Sequence, residues 1–340
     1  MTPSAPSSTE LALPAHVAPA FAGATVLITG GAGFIGGHIA HAAAALGSRV
    51  RVLDDLSGGT MANVPAGAEL IQADVRDTAA VSRAVAGCRF VFHQAAMVSV
   101  PVSVEKPAEC LAVNVVATDA LLAACAKAGV QRVMFAASAA AYGNEPRLPC
   151  REDQNADAWS PYAMSKVTGE LLCQSYSRCF GLSTAALRYF NVYGERQNPN
   201  SAYAAVISAF HKALTTGARA KIFGDGKQTR DFVHVLDVVR ANLLAAACQE
   251  RLAGRPMNIG TGVKTDLRTV LSRMAEALGV AGEAGEPEFH PARAGDIRES
   301  VADISLAGRV LGYAPTLDFA SGIRRMLERS GGSVKTGGGR

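Results

Sequence analysis

The sequence predicts an α/β fold, a doubly wound parallel sheet with a smaller mixed α/β lobe at the C-terminal end. Three observations carry this expectation. Short apolar runs alternate with helical patterns from residue 24 to about 190, the signature of strands buried on both faces. A glycine-rich turn joins the first such strand to the first helix. After residue 194 the alternation breaks into shorter segments punctuated by Gly and Pro, with helices dominating.

The elements follow in order. Residues 24–28 read as a buried strand, 38–46 as a helix, and 49–53 as a second strand ending at Asp54. Residues 69–72 form a third strand before Asp74, followed by a helix over 78–86. Strands at 90–92, 132–136 and 183–187 alternate with helices at 108–128 and 161–180. Later helices are expected at 201–215, 235–249, 266–278 and 318–330. Residues 1–20, rich in Ala, Pro, Ser and Thr, and residues 333–340 read as flexible tails. The body then divides into a cofactor domain over 21–194 and a ligand lobe over 195–332, with segments from 230–265 free to return to the first domain.

Composition narrows the class. The chain has 340 residues, 49% hydrophobic and 18% charged, long enough to bury its own core without staples. Lys plus Arg is 33 against 29 acidic residues, a net charge of +4. There is no basic stripe interleaved with aromatics, so a nucleic-acid partner is not expected. No run of 18 or more apolar residues and no signal-peptide pattern is seen, so no membrane partner is expected. The 7 cysteines show no metal-ligand spacing and fit free thiols in a reducing, cytoplasmic setting. No metal is expected.

Gly30, Gly33 and Gly36, with Phe34 and Ile35 between them, form a G-x-x-G-x-x-G turn between strand and helix. Glycine suits a tight turn where a pyrophosphate approaches backbone N–H groups at a helix N-terminus, the Rossmann arrangement. Asp54 ends the second strand about twenty residues on, placed to accept both ribose hydroxyls, which favours NAD over NADP. Asp74 and Val75 follow the third strand, where they can face the adenine. Gln94, Ala95 and Ala96 follow His93 beside the cleft, with small side chains that let a cofactor pass. His93 itself reads as packing.

Tyr162 and Lys166 stand four residues apart on a helix and share a face. A nearby cation lowers a phenol's pKa, and a phenolate can take a hydroxyl proton while a hydride leaves the same carbon. Ser138, at the end of the fifth strand, can share that proton.

With these motifs in this order, together with Tyr142-Gly143 and the segment 188–194, the chain resembles the extended short-chain dehydrogenase/reductase family over about residues 22–332. Within it the chain is similar to nucleotide-sugar epimerases of the UDP-galactose 4-epimerase type. The resemblance implies tightly held NAD and a Ser138–Tyr162–Lys166 set acting on the sugar 4-hydroxyl, with the keto-sugar turning over between hydride departure and return. Related 4,6-dehydratases carry an Asp-Glu pair just after the catalytic Ser or Thr; here Ala139-Ala140-Ala141 follows Ser138. Asn191, Arg230 and Arg293 match the family's diphosphate ligands, and Asp296 its ribose ligand. Ser99 lies in a segment resembling the acetamido-sugar group. Ser300 stands where enzymes restricted to plain hexoses carry Tyr, leaving room for an acetamido group. UDP-GlcNAc and UDP-GalNAc are therefore the expected substrates, with UDP-Glc and UDP-Gal as co-substrates. Another nucleotide-sugar oxidoreductase, a UDP-hexuronic acid epimerase (with Val102 where a basic residue is common) and a non-enzymatic NAD-binding protein remain as alternatives. The resemblance also implies a homodimer through helices near 108–128 and 161–180.

Overall fold

The computed structural model describes residues 10–197, 206–280, 285–292 and 297–329. Its centre is a seven-stranded sheet in which every pairing is parallel. Strands β1 (Thr25–Thr29), β2 (Arg49–Asp54), β3 (Glu69–Gln72), β4 (Phe90–His93), β5 (Arg132–Ser138) and β6 (Ser183–Tyr189) follow the expected alternation. Small strands β7 (Asn191–Tyr193), β8 (Lys221–Phe223), β9 (Thr229–Arg230) and β10 (Phe232–His234) precede β11 (Ala253–Ile259), which completes the sheet beside β6. The order across the sheet is β11-β6-β5-β4-β1-β2-β3. The chain reverses direction across the sheet between β1 and β4, which opens a crevice at their carboxyl ends.

Both faces are covered, which explains the near-continuous apolar strands. One face packs helices α1 (Val17–Phe21), α2 (Phe34–Ala45), α9 (Val235–Ala247) and α11 (Ser305–Leu311) onto Val26, Ile28, Phe90 and Phe92. The other packs α3 (Thr78–Val85), α6 (Ala117–Ala128) and α7 (Pro161–Cys179) onto Leu27, Val91, Val133 and Phe135. A separate core of Tyr193, Phe210, Ile222, Leu271, Met274, Ile323 and Leu327 joins α8 (Val206–Thr216), α10 (Leu267–Leu278) and α12 (Phe319–Arg329). The first part of the helix expected at 201–215 lies outside the described residues.

The N-terminal tail is shorter than the composition suggests. Leu11, Val17 and Phe21 are fully or nearly fully buried, and the Phe21 ring lies 5.3 Å from that of Phe90. Glu10 pairs with Arg325 and Arg329 of α12. Three well-spaced apolar side chains among small residues are enough to dock residues 10–21.

The helix expected over 108–128 is continuous but not uniform. A π-helical turn at Ala112–Val116 separates α5 (Pro107–Leu111) from α6. By length and composition Pro107–Ala128 is apolar enough to cross a membrane, yet its inner side covers the sheet. A short helix α4 (Val100–Glu105) precedes it.

Candidate active site

The glycine turn lies at the crevice, and two of its positions, Gly30 and Gly36, leave no room for a Cβ. Gly30 has φ +67°, and a Cβ there would lie 2.7 Å from the Ala95 amide nitrogen. A Cβ on Gly36 would drive into the Gly30 carbonyl. Gly33 caps α2 with ordinary backbone angles, so the helix N-terminus opens into the crevice. Asp54 closes the other side. One of its oxygens accepts the Ala32 N–H at 2.9 Å and the other the Leu56 N–H at 2.8 Å. Each oxygen keeps a lone pair for a further donor. Arg51 is engaged by Glu69 at 2.8 Å and by the Ala84 and Ala86 carbonyls, away from this carboxylate. A cradle that a Cβ would fill, beside a buried carboxylate, fits NAD.

The loop carrying Gln94, Ala95 and Ala96 is held by a hydrogen-bond relay. The Ala95 N–H donates to Thr29 Oγ1 at 3.2 Å, and Thr29 in turn meets His93 Nδ1 at 2.7 Å. His93 Nε2 meets Thr118 Oγ1 at 2.9 Å, and that hydroxyl donates to the Asn114 carbonyl at 2.7 Å. With the Thr118 proton committed, His93 carries its proton on Nε2 and accepts at Nδ1. Burial, and then Lys166, push its pKa down to about 3. It is a neutral spacer, in line with a packing role. Asn114 sits in the π-helical turn. Its amide bonds both backbone groups of Met97 and reaches Ser165 Oγ at 2.9 Å, joining the cofactor loop to α7. π-helical turns often mark functional sites, but nothing in the sequence periodicity announces this one.

Ser138 ends β5, and its Oγ accepts the Ala140 N–H at 3.1 Å, capping the short turn Ala139–Tyr142. Helix α7 starts at Ser160, whose side chain accepts the Ala163 N–H at 3.1 Å, with Pro161 at the first helical position. Ser103 Oγ takes the Tyr162 N–H at 3.2 Å. Gly169 lets α7 lie directly on the Phe135 ring. Together these set Tyr162 within hydrogen-bond reach of Ser138, with Lys166 beside it. The Lys166 ammonium lies 5.2 Å from the Phe135 ring centre and 5.8 Å from that of Tyr162.

The electrostatics differ from the simple expectation. Burial raises the Tyr162 pKa, and the Ser138 hydroxyl pulls it only part of the way back. Burial also lowers Lys166 to about 8. Burial is the larger effect at both groups.

The remaining expected residues fall into two groups. Asn191, Arg230 and Ser300 come together. The Asn191 N–H donates to the Asp231 carbonyl at 3.0 Å, the Ser300 N–H to the Thr229 carbonyl at 3.2 Å, and Arg230 lies between. Arg293 and Asp296 lie outside the described residues. On the cofactor side, Val75 is buried, whereas Asp74 is tied to Arg76 at 2.5 Å, which holds its carboxyl below the ordinary range. Ser99 Oγ caps α4, accepting the Val102 N–H at 3.0 Å.

Two buried arrangements are not given by the sequence motifs, although Arg188 opens the 188–194 segment. Glu170 and Arg188 form a two-pronged ion pair, both bonds 2.7 Å, beneath Tyr142. Asp231 is fully buried. The pairings are visible only once α7, β6 and β10 are packed. Among the described residues no group of three or more His, Cys, Asp or Glu side chains is placed to hold a metal ion.

Comparison with known proteins shows the family. Residues 26–260 match the model of the NAD dependent epimerase/dehydratase family. A UDP-glucose 4-epimerase of Mycolicibacterium smegmatis is 39% identical over 89% of this chain and 97% of its own. A solved UDP-N-acetylglucosamine 4-epimerase of Methanobrevibacter ruminantium superposes with a TM-score of 0.85 at 34% identity, covering 90% of this chain and 98% of that one. A UDP-glucose 4-epimerase of Thermus thermophilus, solved with NAD, gives 0.80 at 37% identity over 91% and 100%. The chain belongs to the NAD-dependent epimerase/dehydratase family and is an enzyme of it.

Proposed function

We propose that the protein is a UDP-sugar 4-epimerase that interconverts UDP-GlcNAc and UDP-GalNAc and also accepts UDP-Glc and UDP-Gal. One observation carries the reaction type. Tyr162 lies beside Ser138 and Lys166, and the turn that follows Ser138, Ala139–Tyr142, carries no acidic side chain. There is no carboxylate in that turn to drive elimination, so reversible oxidation of one hydroxyl is what the set can do. The glycine turn and Asp54 would hold NAD, which would supply a reversible hydride acceptor for C4.

The protein's own groups handle the proton. Tyr162 takes the C4 hydroxyl proton, and Ser138 holds that oxygen by sharing a hydrogen bond. Lys166, lowered to about 8 by burial, remains mostly protonated at neutral pH, and its charge offsets part of the cost of a buried Tyr162 phenolate. Arg230 and Arg293 would neutralise the diphosphate and Asn191 would donate a hydrogen bond to it, and Asp296 would take the ribose hydroxyls. Asp74 and Val75 would border the adenine, and Ser99 the sugar side.

The acetamido preference rests on Ser300, a small buried residue beside Arg230. The names of the sequence relatives favour plain hexoses instead. Replacing Ser300 with Tyr separates the readings: kcat/KM for UDP-GlcNAc falls by at least ten times more than that for UDP-Glc. An equal loss for both overturns the size argument. The apolar side chains of Val104, Val116, Met164 and Leu171 are exposed on α4, the π-helical turn and α7, which supports a homodimer through these helices. The 7 free cysteines, five of them buried, fit a cytoplasmic location.

A further inference from the structure

The segment around Ser300 is held from two sides. The Thr229 N–H donates to the Arg298 carbonyl at 3.0 Å and the Ser300 N–H to the Thr229 carbonyl at 3.2 Å. From the opposite side, the Cys150 N–H donates to the Val301 carbonyl at 2.8 Å and the Asp303 N–H to the Cys150 carbonyl at 2.9 Å. Residues 298–303 therefore behave as a strand shared between β9 and the loop that follows the catalytic turn.

Asp231 stands where these parts meet. One carboxylate oxygen accepts the Thr261 N–H and the Thr261 hydroxyl, both at 2.7 Å. The other accepts the Gly262 N–H at 2.9 Å and the Ala302 N–H at 3.1 Å. Its backbone carbonyl accepts the Asn191 N–H at 3.0 Å and the Asn191 side-chain amide at 3.3 Å. Gly260 leaves the space: a Cβ there would lie 2.7 Å from the carboxylate. Burying a carboxylate is costly unless its lone pairs are filled. Here they are filled by donors from two segments far apart in sequence, and apolar packing could not have fixed both in one register.

We propose that Asp231 is a positioning residue: its carboxylate sets the 300–302 segment and the 260–262 turn against Arg230 and Asn191, so that Ser300 and Arg230 address one UDP-sugar together. The proposal rests on the UDP-sugar reading above. Asp231 contributes no proton and makes no bond to the reacting carbon; it acts through its neighbours.

Asp231→Asn keeps the shape but brings an NH2 group against N–H donors whichever way the amide turns. Wild type and variant are compared for KM and kcat with UDP-GlcNAc and UDP-Glc, and for NAD retained per subunit. The expected result is a KM raised about tenfold or more, kcat within about threefold, and unchanged NAD content. A fall in kcat and NAD content with KM unchanged makes the residue merely structural and overturns the proposal. If Asp231→Asn does not accumulate folded, Thr261→Val removes one of the four bonds and raises KM about threefold with kcat held; an unchanged KM overturns the proposal. A wild type that converts no UDP-sugar overturns the functional reading and the proposal with it. A converting wild type whose Asp231→Asn variant keeps its KM overturns the proposal alone.

Discussion

The three glycines of the turn are not equivalent, and alanine substitution at each tests the cofactor site. At Gly30 an L-residue must adopt φ +67°, a conformation that costs about 1–2 kcal/mol. Its Cβ would also run into the Gln94–Ala95 peptide, at 2.7 Å from Ala95 N and 2.9 Å from Ala95 Cα and Gln94 C. Those atoms cannot swing aside as a side chain does, so the cofactor loop and the glycine turn must separate. The conformational cost alone shifts the balance away from the formed turn by about 5–30-fold, and the separation adds to it. At Gly36 alanine would favour the helix by about 1 kcal/mol, but its Cβ meets the Gly30 carbonyl more closely than any contact at Gly30. At Gly33 φ is −79° and the nearest atom is the Gly30 carbonyl oxygen at 3.1 Å. A shift of a few tenths of an ångström relieves that contact, leaving at most about 1 kcal/mol for a poorer helix cap. The assay is NAD released by denaturing each purified variant, counted per subunit, beside its thermal midpoint. Gly33→Ala should keep most of its NAD, while Gly30→Ala and Gly36→Ala lose it. A Gly30→Ala protein holding as much NAD as Gly33→Ala would refute the geometric argument.

Two further outcomes follow from the same site. Tyr162→Phe should abolish turnover while leaving NAD content and the thermal midpoint close to wild type; residual turnover above about 1% would remove Tyr162 from proton transfer. His93 gives a pH signature. The unfolded chain takes up a proton near 6.5 that the folded protein refuses until about 3. Stability therefore falls as pH drops through that window, by a few kcal/mol, because each tenfold difference in proton affinity between the two states is worth about 1.4 kcal/mol. Denaturant titrations between pH 4 and 7 should show a steeper decline for wild type than for His93→Gln, and parallel curves would contradict a neutral buried imidazole.

Much of the cofactor half is legible in the sequence because its signals are local. The glycine turn, Asp54 and the strand-end position of Ser138 depend on spacing within single strand–turn–helix units. The strand Ala253–Ile259 is harder to read, because Arg255, Pro256 and Asn258 interrupt its apolar pattern and its pairing with β6 sustains it. The Glu170–Arg188 pair and the Asp231 anchor depend on contacts between distant segments, which no spacing rule reports. Residues 10–20 look like a tail because Ala and Pro dominate their composition, while buried Leu11 and Val17, with the adjoining Phe21, decide their placement. The Tyr162–Lys166 spacing fixes one helix face, but the pKa values of the pair depend on burial, which spacing does not convey.

Above all, the proposed chemistry requires this chain to move one hydride out of a UDP-sugar and back again. The direct test is to incubate the pure protein, with no added cofactor, separately with UDP-GlcNAc and UDP-Glc, and to resolve the product sugars while following absorbance for NADH. Each 4-epimer should appear, faster for the acetamido sugar, with no net accumulation of NADH. NADH rising in proportion to product, or no 4-epimer from either sugar, would rule out a returning hydride.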